Sequence, residues 1–390
     1  MTRPELEESR SGALLTACGL GTVALAAIAL MLVLGLKRTG AADDVVSRST
    51  KTESAAGARE RARRTAARRS EALAAQAPKR RLFARTSFWN KRISATTELD
   101  SSSAGLVQAL AAEAQRERTA GIGPWIEAGA AGTPLYRVGP TQKRVRVRLE
   151  RLDALGGKPL QRAFASVPIP RHAKPAAGPD RHMTVWQPST DKLWDFFNAH
   201  RRAGRWRAQW GGAIRRVSKS PGYYTRAAWP GATRNWGATA SSLPVIGGTM
   251  LLSELKKGRI DHTLALNVPA ARAGVFAWPA QRTDGVGAPT TLPEGARLRL
   301  DPALDLGDLH LPRLTRMIAR ASQRYGLVVR DQTGHAISLF AENPSQFRGN
   351  PYRRYFKGRT PQELLANFPW DRIQVVEMDL CTTAPCRRTS

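Results

Sequence analysis

Two polar pairs set beside apolar segments are the residues of this chain best suited to chemistry. They are Asp180 with His182 in Gly178-Pro-Asp-Arg-His-Met183, and Asp261 with His262 in Gly258-Arg-Ile-Asp-His262. A charge among apolar neighbours is costly unless something pairs with it, so each pair asks for a reason. If Asp180 shared a cleft with Asp261 or Glu294, two carboxyl groups could act as acid and base on a glycosidic bond, their separation setting the stereochemical outcome. If His182 or His262 worked instead with Tyr223 and with Arg297 or Arg299, the set would suit a lyase, the guanidinium neutralising a uronate carboxylate while imidazole or phenol moves the proton. The expected catalytic residues are therefore Asp180, His182, Asp261, His262, Glu294, Arg297 and Arg299. Trp186, Trp194, Trp236 and Tyr223 are the expected sugar-contacting residues, weighed against the simpler use of tryptophan to fill a core. Asp180, His182 and His262 also carry donors that a metal accepts. A strand-borne imidazole more commonly bonds a neighbouring carboxylate or carbonyl, so no metal and no cofactor is expected.

Familiar signatures are missing from the sequence. It holds no Gly-x-Ser-x-Gly elbow, no His-Glu-x-x-His, no phosphate-cradling loop and no dinucleotide fingerprint. Asp331, in Asp331-Gln-Thr-Gly334, reads as a turn former.

The elements that must position these residues follow from periodicity. Leu106, Val107, Leu110 and Ala114 fall on one face of a helix after Ser101 to Ser103. Lys143 to Glu150 alternates, with Val145, Val147 and Leu149 inward and Arg144, Arg146 and Arg148 outward. Strands are predicted at His182 to Gln187, Leu193 to Phe197, Trp206 to Trp210 and Ile214 to Val217, in a region that holds most of the tryptophans. The small-residue run Trp236 to Gly248 predicts a loop that lets backbone approach closely. A helical turn near Leu251 to Lys257 is predicted to end at Gly258, and Ile260 to Val268 alternates as a strand. Further strands are expected at Gly274 to Trp278, Arg297 to Leu300 and Ile373 to Met378. A helix starts at Pro312, a hairpin joins Leu327 to Arg330 with Ala336 to Phe340, and Thr360 to Glu363 forms a capping box. Many short strands with a few helices imply a mainly β fold with helical decoration, a sandwich or jelly roll.

The remaining organisation concerns address. Ala13 to Leu36 carries no charge, and at about 1.5 Å per residue its length of roughly 36 Å is enough to cross a hydrocarbon core of about 30 Å. It is too long for a cleaved signal, and Leu15-Thr-Ala-Cys18 opens the apolar run where a lipobox would close it. Residues 1–12 then form a short cytoplasmic tail, 13–36 a membrane helix, 37–82 a basic Ala/Arg-rich stalk, and 83–390 a globular extracytoplasmic domain. Local charges oppose that orientation, since Lys37, Arg38, Arg48 and Lys51 follow the span while only Arg3 and Arg10 precede it. A single early span before a large domain, and the closely spaced Cys381 and Cys386, favour export. The net charge of +30 points to an anionic partner, a polysaccharide or envelope polymer. Nucleic acid is not expected, because no helix-turn-helix, zinc-finger or aromatic RNA-binding pattern accompanies the charge.

The segments Gly178-Pro-Asp-Arg-His-Met, Ala238-Thr-Ala-Ser-Ser-Leu-Pro, Gly258-Arg-Ile-Asp-His, Trp278-Pro-Ala, Pro293-Glu-Gly-Ala-Arg-Leu-Arg-Leu and Arg324-Tyr-Gly-Leu-Val-Val-Arg-Asp occur in that order. In this the chain resembles a family of exported or membrane-anchored bacterial proteins common in actinobacteria, the likeness covering most of residues 83–380. The resemblance implies export and brings no activity with it. Three functions are consistent with the sequence: an anchored glycoside hydrolase or polysaccharide lyase, a non-catalytic wall or polyanion-binding module, and a structural partner in a membrane complex.

Overall fold

Residues 57, 58, 60, 61, 65, 81–152 and 157–387 are described by the computed structural model of the chain. The expected tail, the span Ala13 to Leu36 and nearly all of the stalk lie outside these described residues. No helix among the described residues is long and apolar enough to cross a membrane.

From residue 81 onward the first regular element is α1 (Ser103–Ala120), which buries Leu106, Val107, Leu110 and Ala114 as their spacing predicts. It stops at Gly121, whose left-handed φ of 70° turns the chain back onto the Arg118 and Glu117 carbonyls. Strands β1 (Trp125–Glu127), β2 (Leu135–Arg137) and β3 (Val147–Leu149) come next. The alternation around β3 is real, with Val147 and Leu149 buried and Arg144, Arg146 and Arg148 exposed, though only three of its residues pair. After α2 (Lys158–Ala163) come β4 (Met183–Gln187), β5 (Lys192–Phe197), β6 (His200–Arg202), β7 (Arg205–Ala208) and β8 (Trp210–Arg215). Then α3 (Leu252–Lys257) ends at Gly258 in the left-handed region, followed by β9 (Leu264–Val268), β10 (Phe276–Ala277) and β11 (Arg297–Leu300). The amphipathic α4 (Arg313–Arg324) begins after Pro312 and buries Leu314, Met317, Ile318 and Ala321. The chain closes with β12 (Leu327–Gln332), β13 (Ser338–Phe340), α5 (Arg353–Phe356), β14 (Ile373–Val375) and β15 (Leu380–Cys381). Thr360 and Glu363 do exchange their capping-box bonds, but the chain beyond them runs through a series of turns and forms no regular helix.

The result is sheet-rich with few helices. A six-stranded sheet has the order β1-β13-β9-β12-β11-β14, a four-stranded sheet β2-β4-β5-β8, a three-stranded sheet β3-β7-β6, and β10 pairs β15. Hairpin reasoning anticipates antiparallel neighbours, and β4, β5 and β8 obey it. Four pairs are instead parallel: β1 with β13, β9 with β12, β2 with β4, and β3 with β7. Parallel partners need long crossovers, which local patterning does not reveal. The expected hairpin of residues 327–340 does not form, because β9 lies between β12 and β13 and pairs with both. The strand at Ile260 to Val268 is also shorter than its alternation implies, leaving Asp261 and His262 ahead of β9.

Alternate residues of β12 serve two cores. Leu327 and Val329 pack with Leu266, Leu298, Ile318 and the apolar face of α1, whereas Val328 belongs to a second cluster with Trp194, Phe196, Trp236 and Ile246. A disulfide joins Cys381 and Cys386.

Candidate active site

The loop Trp236 to Gly248 makes so many short-range and long-range bonds that it fixes several charged residues at once. Thr239 Oγ1 donates to the Leu243 carbonyl at 2.7 Å, and Val245 N donates to Asp195 Oδ2 at 2.9 Å. Asp195 is fully buried, and Thr184 and Tyr224 donate to it at 2.5 and 2.9 Å. Burial nonetheless outweighs these bonds and pushes its carboxyl up to about 6. The Ser241 hydroxyl donates to the Arg330 carbonyl, and Arg330 donates from its guanidinium to the Val245 carbonyl while lying 4.1 Å from the Phe340 ring centroid. Burial lowers the Arg330 guanidinium to about 10. Arg282 is tied to the same loop, donating to the Thr239 carbonyl at 2.7 Å and to the Asn235 carbonyl at 3.1 Å.

Against this loop opens a cleft of about 790 Å³, lined among others by Trp125, Asp180, His182, Asn267, Arg282, Asp284 and Asp331. His182 reaches it from a tight turn. Asn198 N donates to the Asp180 carbonyl at 2.6 Å, Ala176 N to the His182 carbonyl at 2.8 Å, and Arg181 sits at a φ of 42°. The His182 Nε2 lies 3.0 Å from the Ala238 carbonyl, which can only accept, so Nε2 carries the proton and Nδ1 keeps a lone pair. Burial lowers the imidazole below its ordinary range, outweighing the opposing pull of Asp180. The ring is therefore neutral at physiological pH.

Asp284 and Asp331 line the same cleft, and Glu294 groups with them. Asp331 stands near the end of β12, just past a register shift, directly opposite Asn267 of β9. Glu294 is clamped by its backbone: Ala277 N donates to the Glu294 carbonyl and Gly295 N to the Val329 carbonyl, both at 2.7 Å. Gly295 has a φ of 88°, and a Cβ there would collide with the Ala277 carbonyl oxygen, so only glycine lets Glu294 approach β12 this closely. Asp284 comes from the loop after Arg282, where Gln332 Nε2 donates to its carbonyl at 2.8 Å. One carboxylate oxygen from each of Asp284, Glu294 and Asp331 lies within 4.8 Å of the other two.

These three differ in burial. Asp284 is exposed, Asp331 half-buried and Glu294 fully buried. Neither oxygen of Glu294 makes a well-formed hydrogen bond among the described residues, although the Thr283 hydroxyl and the Asp284 amide are close enough to favour its charged form. Burial first and the Asp331 charge second hold the Glu294 carboxyl well above the usual range. Burial, followed by Asp284, pushes Asp331 up to about 7. The oxygen of the Asn267 amide is likewise buried without a partner.

Of the residues picked from sequence, Asp180, His182 and Glu294 meet in or beneath this cleft. The others do not. His262 pairs with Glu254 of α3 at 2.9 Å, and Asp261 with the exposed Arg259 at 2.8 Å. Arg297 ties Lys91 and Tyr325 carbonyls together, and Arg299 bonds Gln374 and the Ser94 carbonyl, both as structural links. Trp186, Trp194 and Trp236 fill the second core, and Tyr223 packs against Phe88 and Trp278. The cleft tryptophans are Trp125 and Trp210.

Sequence reasoning missed Arg282, Asp284, Arg330 and Asn267, and took Asp331 for a turn. One signal was present: acidic residues are half as numerous as basic ones here, so a carboxylate embedded in an apolar segment, as in Leu292-Pro-Glu-Gly-Ala296, stands out. Comparison with known protein families, curated proteins and solved structures finds no match to this chain.

Proposed function

We propose that the cleft is the active site of a membrane-anchored, extracytoplasmic enzyme that cleaves an acidic polysaccharide by β-elimination. The observation that carries this reading is a neutral imidazole with a free lone pair, His182, sharing one cleft with Arg282, Asp284 and Asp331. Within the group of three carboxyls, the spacing does not match that of a hydrolase pair. Acid and nucleophile of a retaining glycosidase stand about 5–5.5 Å apart and those of an inverting one about 6.5–9.5 Å, flanking the bond to be cut. Asp284, Glu294 and Asp331 instead crowd within 4.8 Å, a grouping better fitted to binding than to straddling a sugar. In the proposed reaction His182 Nδ1 takes the proton next to the uronate carboxylate, the C–H electrons form a C=C bond, and the C–O bond to the leaving sugar breaks. The imidazolium then returns its proton to the departing oxygen. Positive charge at Arg282 and at the exposed Arg151 on the rim favours an anionic substrate.

The resemblance to exported actinobacterial proteins and the chain plan support the extracytoplasmic placement. The way β12 feeds two cores supports reading the six-stranded and four-stranded sheets as the layers of a sandwich. Incubation with polyuronates and with neutral glycans tests the activity. Unsaturated uronate ends from the polyuronates alone are expected. New reducing ends without unsaturation would mean hydrolysis, and binding without turnover would mean a wall-binding module.

A further inference from the structure

We propose that Asp284, Glu294 and Asp331, with the amide oxygen of Asn267, form a binding site for a hard divalent cation, calcium foremost. The first ground is geometry. Oxygen ligands sit about 2.3–2.6 Å from calcium, so two of them on one ion can be no farther apart than roughly 5 Å. One oxygen from each of the three carboxylates meets that condition with the other two. The second ground is independent of the clustering. Glu294 is fully buried with no well-formed hydrogen bond to either oxygen, and Asn267, 5% exposed and paired in register with Asp331, has an amide oxygen equally without a donor. Native proteins rarely bury such acceptors unserved, and a cation satisfies several of them together.

The donor set decides which cation. All four atoms are oxygens, three of them carboxylate and one amide carbonyl, with no sulfur or imidazole in the group. That combination suits calcium, magnesium or manganese and disfavours zinc or copper. The number of protein ligands is also below the six to eight that calcium takes, and the group opens onto the cleft through the exposed Asp284, so water or a ligand carboxylate can complete the shell. Arg282, whose largest acidic influence is Glu294, compensates only part of the negative charge, being one guanidinium against three carboxylates. A bound cation also offsets the mutual repulsion of three carboxylates held this close together.

Binding itself is independent of the elimination reading. The further role of the ion, holding the uronate carboxylate beside His182, rests on that reading. The test uses the full chain and no substrate: calorimetric titration with calcium, magnesium and manganese chlorides, paired with thermal melts. One saturable site per chain is expected for calcium, with a raised Tm. Asp284→Asn, at an exposed position where folding is not at stake, should weaken the affinity tenfold or more, and Glu294→Gln should abolish it. Lack of saturable binding by any of the three cations, or binding left unchanged by Asp284→Asn, would overturn the site. Cation binding without any unsaturated product would leave the site standing and remove the lyase, while elimination by a chain that binds no cation would do the reverse.

Discussion

Burying Glu294 without a proper donor for its oxygens costs the fold stability whenever that carboxyl is ionised. Its folded-state pKa lies above the unfolded value, so its contribution to stability is whole below about pH 4.5 and is lost as the pH rises. Glu294→Gln should therefore raise the cation-free Tm by a few degrees at pH 8 and leave it almost unchanged at pH 4; equal shifts at both pH values would show that the charge is not the cause. His182 lies on the other side of the balance. Its lowered pKa keeps it neutral at physiological pH, so elimination should be flat around pH 7.5 and fall on acidification. His182→Gln should cost about 10²-fold or more in kcat while leaving the melt little changed. His182 and Glu294 were legible because few polar groups sit beside such apolar segments, and Asp180, which is exposed, was found through its closeness to His182. The pair Asp261 and His262 looked the same, yet Glu254, eight residues earlier, turns His262 into a satisfied structural imidazole, a distinction that depends on α3 folding back. Asp331 was hidden for the opposite reason: Asp-Gln-Thr-Gly reads locally as a turn, and only its pairing with Asn267 makes it a cleft residue.

Among the elements, short connecting segments carry more of the site than the strands do. The 236–248 loop binds His182, Arg282 and Arg330 through its carbonyls, which is why it is built of small residues. Sequence patterning recognised that this loop permits close approach, but the identity of what approaches is a long-range fact. Gly295 is a comparable case, and Gly295→Ala should destabilise the protein by about 1–3 kcal/mol from the backbone conformation alone, with the collision at Ala277 adding to it. Denaturant titration checks this, and a change below about half a kcal/mol would refute the tightness assigned to the turn. The C-terminal disulfide reaches the site by one relay: Gln281, next to Arg282, exchanges hydrogen bonds with the Cys386 backbone at 3.0 and 3.1 Å. Replacing Cys381 and Cys386 by Ser should cost about 2 kcal/mol for so short a loop and should also weaken any ligand held at Arg282. Helices α1, α3 and α4 were readable in the sequence because their caps and apolar periods are local.

Across the whole molecule the buried carboxyls act together. Asp195 is raised to about 6, and Asp331, Glu117 and Glu342 each to about 7, in every case chiefly by burial. All four bind protons more tightly folded than unfolded, so their support is complete below about pH 4 and declines up to about pH 7. Self-repulsion of a chain with a net charge of +30 works in the opposite direction on acidification, and high salt screens it. Denaturant midpoints measured in high salt should therefore fall between pH 4 and pH 7.5, and Glu117→Gln should flatten part of the fall; a rising curve would contradict the burial assigned to these groups. Layering and parallel pairing were the least legible features, since each depends on partners far apart in the chain. That distance has its own outcome. β1, at residues 125–127, is paired by β13 at 338–340, and Leu99 bridges Val376. A chain emerging N-terminus first, from a ribosome or a translocation pore, thus waits with β1 unpaired until some two hundred further residues have appeared, and any truncation before residue 338 leaves no sheet edge for β1 to join.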